Sequence, residues 1–210
     1  MAAIRYVHNP MRRDLKEIKE QIASTDKTDR ASVPTLGERF RFLSTVYRAH
    51  EEGEERFLFP AIDAKVPGAS QVYVAAHRRI DGLRDTISGV FSGGEVAKLE
   101  ALLSELDFVA DAHLDQEENE LFPLCDSHIA PPDQGVIFEK MAANVPQELA
   151  HDVLGWMIKL QSQDDREGFL MFQMKFSPRP VFQGVRSVAK EVLSKAEWTD
   201  LTKRIPELMS

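Results

Sequence analysis

His50-Glu51-Glu52-Gly53-Glu54-Glu55-Arg56-Phe57-Leu58-Phe59-Pro60 returns 63 residues later as His113-Leu114-Asp115-Gln116-Glu117-Glu118-Asn119-Glu120-Leu121-Phe122-Pro123, with six of eleven positions identical. The shared pattern is His-x3-Glu-Glu-x2-Leu-Phe-Pro. A spacing of four puts the histidine and the first glutamate on one helical face, and the repeat points to two helix pairs related by internal pseudo-symmetry. Outward from these stretches, apolar residues recur at intervals of three and four rather than alternating, which makes the chain all-α. One segment runs through His8, Met11, Leu15, Ile18 and Ile22 and ends in the polar run Ser24-Thr25-Asp26-Lys27-Thr28-Asp29. A second carries Leu36, Phe40, Leu43, Tyr47, His50, Glu54 and Phe57 between Pro34 and Pro60. The third carries Val74, His77, Ile80, Leu83, Ile87 and Val90 between Pro67-Gly68 and Gly93-Gly94. The fourth carries Val96, Leu99, Leu103, Leu106, Ala110, His113 and Glu117 and stops near Pro123. Pro60 and Pro123 are read as helix ends, because proline lacks the amide hydrogen a helix interior needs. Four helices with short connections predict an antiparallel up-and-down bundle over residues 1–130.

The seams of that bundle hold groups that do not belong in a dry core. His8, His50, His77 and His113 take inward positions on four different helices, and Glu54 and Glu117 lie one turn after two of them. Facing carboxylates repel or force a proton onto the site unless something positive sits between them. Imidazole and carboxylate are ligands of first-row transition ions, so a dinuclear metal centre is the economical reading. With 34 acids in 210 residues, a single histidine has an acid four places on about one time in six by chance. The weight therefore rests on the repeat and the four matched seams. His50-Glu51-x2 is followed by Glu54 rather than histidine, so the zinc-protease pattern His-Glu-x2-His fails. Ferritin-like sites place the acid first, three before the histidine, whereas in the repeated stretch the histidine comes first and the acid four later.

Pro131-Pro132 breaks the pattern, and residues 131–210 are expected to form a helical extension packed on the bundle, with helices near 146–176 and 181–208. The 43% hydrophobic content suffices for a real core, and a net charge of −8 has the wrong sign for neutralising phosphates, so nucleic acid is not expected. The lone Cys125 asks for no oxidising compartment, and neither a secretory leader nor a membrane span is evident. A cytoplasmic, membrane-free protein is the expectation.

These residues resemble the haemerythrin-like, or HHE cation-binding, family at His8, His50, Glu54, His77, His113 and Glu117, over about residues 1–130. The resemblance implies a non-haem di-iron centre with bridging carboxylates and an oxo or hydroxo bridge, with manganese or zinc as substitutes. Where the family has a second histidine on helix three, this chain has Asp81, which weighs against stable O2 carriage. Some divergent relatives take an extra iron ligand from the acid directly after the helix-two histidine, and Glu51 matches that position. Glu51 or Asp81 could complete the shell, and Glu118 competes with Glu117, which the repeat favours. Tyr47, one turn before His50, is a candidate for hydrogen bonding or ligating the centre. Residues 146–210 are similar, more weakly, to the helical extension behind the HHE domains of some iron-regulatory proteins, and no function is transferred from that.

Three functions are expected to compete. The first is a module that binds or senses O2, NO or peroxide. The second is a di-iron enzyme of peroxidase, catalase-like or small-molecule oxidase type, with no catalytic residue assigned. The third is an iron-responsive regulatory module that addresses a protein partner through the C-terminal helices.

Overall fold

Helix α1 (Arg5–Ser24), α2 (Val33–Gly53), α4 (Gln71–Gly93) and α5 (Val96–Gln116) are the long rods of the computed structural model, which describes residues 2–25, 32–93 and 96–209. Their order around the bundle follows from paired side chains. Glu51 meets Arg84 and Glu54 meets His77, so α2 and α4 run antiparallel. Arg79 meets Glu105 while His77 meets His113, which sets α4 against α5 in the same sense. Lys19 pairs with Asp107 while Arg12 pairs with Asp111 and Asp115, so α5 and α1 are antiparallel as well. Arg39 closes the ring by pairing α2 with Asp14 and Glu17 of α1. Met11, Leu15, Phe40, Leu43, Ile80, Ile87, Leu99 and Leu103 fill the interior at the three-and-four spacing that the sequence displays. The residues 26–29 and Gly94, read from sequence as helix boundaries, lie outside the described residues.

Neither proline ends its helix. After α2 a five-residue π-helical turn, Glu54–Leu58, leads into α3 (Phe59–Asp63), and after α5 the turn Glu117–Leu121 leads into α6 (Phe122–His128). The Phe59 amide donates to the Glu54 carbonyl and the Phe122 amide to the Glu117 carbonyl, one residue beyond the α-helical partner. In an α-helix the ring of Pro60 would press on the carbonyl four residues back, and widening the turn before it relieves that clash. The core seam shifts with it: Leu58 and Leu121 are buried, whereas Phe57, expected inside, is only half-buried and carries Arg56 over its ring.

The chain forms two compact units, one built on Met11–Pro146 and one on Ala3–Pro10 with Gln147–Ser210. Helix α7 (Pro131–Ala142) packs on α2 and on the turn Glu54–Leu58, so the first unit extends beyond the residue-130 boundary read from Pro131-Pro132. Gly53 makes that approach close: a Cβ there would lie 3.4 Å from Met141. In the second unit, α8 (Ala150–Leu160), α9 (Gln163–Phe176), α10 (Arg179–Val192) and α11 (Lys195–Arg204) bury Ile158, Leu170, Val188, Ala189 and Leu201. Arg166 donates to the Ile158 carbonyl at the end of α8, and Ser194 with Glu197 forms a reciprocal cap on α11. No helix among the described residues is long and apolar enough to cross a membrane.

Candidate metal centre

The wide turns begin at the two acids of the repeat. Glu54 and Glu117 are fully buried, and so is His77 of α4; His113 of α5 is 4% exposed. One ligand atom from each of these four lies within 4.8 Å of all the others. His113 Nε2 is 3.2 Å from Glu117 Oε1, and His77 Nε2 is 3.5 Å from Glu54 Oε2 and 3.9 Å from Glu117 Oε1. On the other side of Glu54, His50 Nε2 stands 3.6 Å from the same Oε2. His50, Glu54 and Glu117 likewise offer atoms within 4.8 Å of one another. His8 is fully buried on α1, in the stretch Ala3–Pro10 that belongs to the second unit.

These donors suit a cation. Both Glu54 oxygens, His77 Nε2 and His113 Nε2 are buried and make no hydrogen bond to any described residue, a costly arrangement for polar atoms unless an ion completes them. Atoms that share an ion at about 2.0–2.2 Å lie roughly 3–4 Å apart, which is the spacing seen. The electrostatics of the metal-free pocket agree. Burial, and then the charge of Glu117, hold the Glu54 carboxyl well above its ordinary range. Burial pushes the His77 imidazole down, but interaction with Glu117 and Glu54 outweighs it and raises the group to about 10. Both shifts mark a pocket whose two carboxylates call for positive charge, which a metal ion would supply.

His77 is braced from three sides. Its Nδ1 lies 3.0 Å from Glu55 Oε1, and Arg78 donates to the other oxygen of that carboxylate at 2.8 Å. This bond places hydrogen on Nδ1 and turns the Nε2 lone pair inward. Phe59 stacks on the ring at 5.3 Å and His113 meets it edge-on at 4.7 Å. Sequence reasoning missed Glu55 and Phe59 as supports, although both sit in the repeated pattern as its second glutamate and its phenylalanine. His113 differs, for its Nδ1 is buried with no acceptor.

The alternative acids are drawn elsewhere. Glu51 is buried and accepts from Arg84 at 2.7 Å, and Asp81 pairs with the same guanidinium. Glu118 accepts from Arg12 at 2.7 Å. Tyr47 packs under Arg84, 5.5 Å from ring centre to guanidinium, and its buried hydroxyl makes no hydrogen bond. Arg84, 2% exposed, was not anticipated from sequence; an arginine three residues after an aspartate carries no signal of burial.

Among curated proteins, the zinc finger protein BRUTUS of Arabidopsis thaliana is 26% identical over 136 residues, covering 62% of this chain and 11% of its own length. Two BRUTUS-like zinc finger proteins of the same plant are 24% and 22% identical over 177 and 173 residues, each covering 77% of this chain and 14% of its own. The chain thus spans about a seventh or less of these relatives. No solved structure matches it. A family profile, described as the hemerythrin HHE cation binding domain, matches residues 1–125. That match covers more than half of the chain and contains every histidine and acid of the buried pocket, and the chain belongs to the hemerythrin HHE cation-binding family.

Proposed function

We propose that the chain is a non-haem di-iron protein whose centre binds or senses a small oxidant, O2, NO or peroxide. One observation carries this reading: Glu54 and Glu117 are common to two sets of donors in the same unit, one with His77 and His113 and the other with His50. Carboxylates shared by two sets are what a pair of ions needs as bridges. Support for His8 as the fourth donor comes from its complete burial and from helix continuity, since it lies one turn before Met11 on the same rod. Bound iron would supply reversible electron transfer to small oxygen or nitrogen ligands. The chain's own residues balance its charge through Glu54 and Glu117, orient His77 through Glu55, and exclude water with Phe59, Leu58 and Leu121.

Elemental analysis after anaerobic loading with ferrous iron, with absorption spectra from about 300 to 500 nm before and after peroxide, tests the reading. Two irons per chain and a spectrum that responds to peroxide are expected. One iron or none, or an inert spectrum, would overturn it. A second reading, an iron-responsive regulatory module, is favoured by the grouping of His8 with the C-terminal helices rather than with the rods that carry the other donors.

A further inference from the structure

We propose that Gln161, a residue of the C-terminal helices beyond the family match, is a positioning residue for His8. This rests on the reading of His8 as a ligand. Pro10 lies inside α1. It has no amide hydrogen for the Tyr6 carbonyl four residues back, and its ring crowds that same carbonyl. Gln161 supplies the missing donor: its side-chain amide donates to the Tyr6 carbonyl at 3.0 Å. Gln161 is 2% exposed, directly after the last residue of α8, where its own carbonyl accepts from the buried Arg166. The turn is held at two more points. Asn9 donates to Asp165 at 3.1 Å, and the Tyr6 ring meets Phe169 edge-on at 5.7 Å.

His8 sits midway between Tyr6 and Pro10, in the turn of α1 from which proline removes a hydrogen bond. Proline bends a helix there, and the direction of the bend follows from where the freed carbonyl finds a partner. Without Gln161 that part-buried carbonyl loses its protein donor, and the turn must open or re-aim to satisfy it. Re-aiming the turn re-aims His8. The amide of Gln161 thereby stands in for a backbone amide and fixes an imidazole it does not touch.

The test uses the full chain, dialysed anaerobically against graded ferrous iron and analysed for bound metal, with circular dichroism to report folding. Wild type should bind two equivalents. Gln161→Met, similar in size but without a donor, should keep one equivalent at wild-type affinity and weaken the other about 10- to 100-fold, the usual effect of losing a supporting contact. Gln161→Asn, one methylene too short, should do the same and serves if the methionine variant misfolds. Adding Pro10→Ala returns an amide to the Tyr6 carbonyl and should restore the second equivalent. Unchanged binding in both Gln161 variants, or a loss that Pro10→Ala does not relieve, would overturn the proposal. His8→Ala separates the two readings: two equivalents at full affinity would remove His8 as a ligand, whereas loss of one equivalent there and none in the Gln161 variants would remove only the role of Gln161.

Discussion

Replacing Glu54 by glutamine should make the metal-free protein more stable while abolishing its stabilisation by metal. Oxygens of Glu54 and Glu117 approach within 4.8 Å, and two charges at that separation repel by about 3.5 kcal/mol at an effective dielectric constant near 20. Wild type escapes part of this by holding a proton on Glu54, whose carboxyl is raised first by burial and then by Glu117. A carboxyl that binds its proton more tightly in the fold than in the unfolded chain adds stability at low pH. That contribution is lost as pH rises from its ordinary value near 4.5 through the raised one. Raised His77 acts in the same sense between 6.5 and about 10. The metal-free fold should therefore weaken steadily from pH 5 to pH 9. Glutamine at 54 removes the Glu54 share of that slope and offers an amide to Glu117. At pH 8 we expect a gain of about 2–3 kcal/mol for the chelated protein, roughly 5–10 °C in Tm for a chain of this size. Thermal denaturation by circular dichroism at several pH values, with chelator and with ferrous iron, reads both effects. A metal-free variant that melts below wild type at pH 8, or keeps the wild-type pH slope, would refute the reasoning.

Arg84→Met should cost about 3–5 kcal/mol in urea denaturation, because it strands the buried Glu51 beside Asp81. Glu51→Gln in the same chain should recover part of that loss, and a cost below about 1 kcal/mol for Arg84→Met alone would show that the pair is not needed. Gly168→Ala places a Cβ 2.5 Å from the Tyr6 hydroxyl, an overlap worth about 1–3 kcal/mol of destabilisation in the second unit; a variant that unfolds at the wild-type urea concentration would contradict it.

The repeated His-x3-Glu-Glu-x2-Leu-Phe-Pro made the bundle legible because histidine, acid and apolar seam share one helical period, and the structure gathers Glu54, Glu117, His77 and His113 as that period requires. The same motif misled at its last residue. Pro60 and Pro123 read as stops under α-helical geometry, and only a wide turn, invisible to a three-and-four count, lets the helices continue. The repeat favoured Glu117 over Glu118, but weighing Glu51 against Asp81 was beyond the sequence, since both are drawn to Arg84, whose reach across the bundle no local pattern shows. Gln161 was invisible for a similar reason: its partner is a backbone carbonyl 155 residues away, and Pro10 marks the need without naming the donor. The boundary after 130 followed from two prolines, but α7 covers Gly53 and so belongs with the rods.

Each wide turn begins at its acid, so Glu54 and Glu117 stand where the hydrogen-bonded ladder lengthens by one residue. The histidine one turn earlier keeps the α-helical register, while the residues after the acid, Leu58 and Leu121 among them, take a new one that buries them.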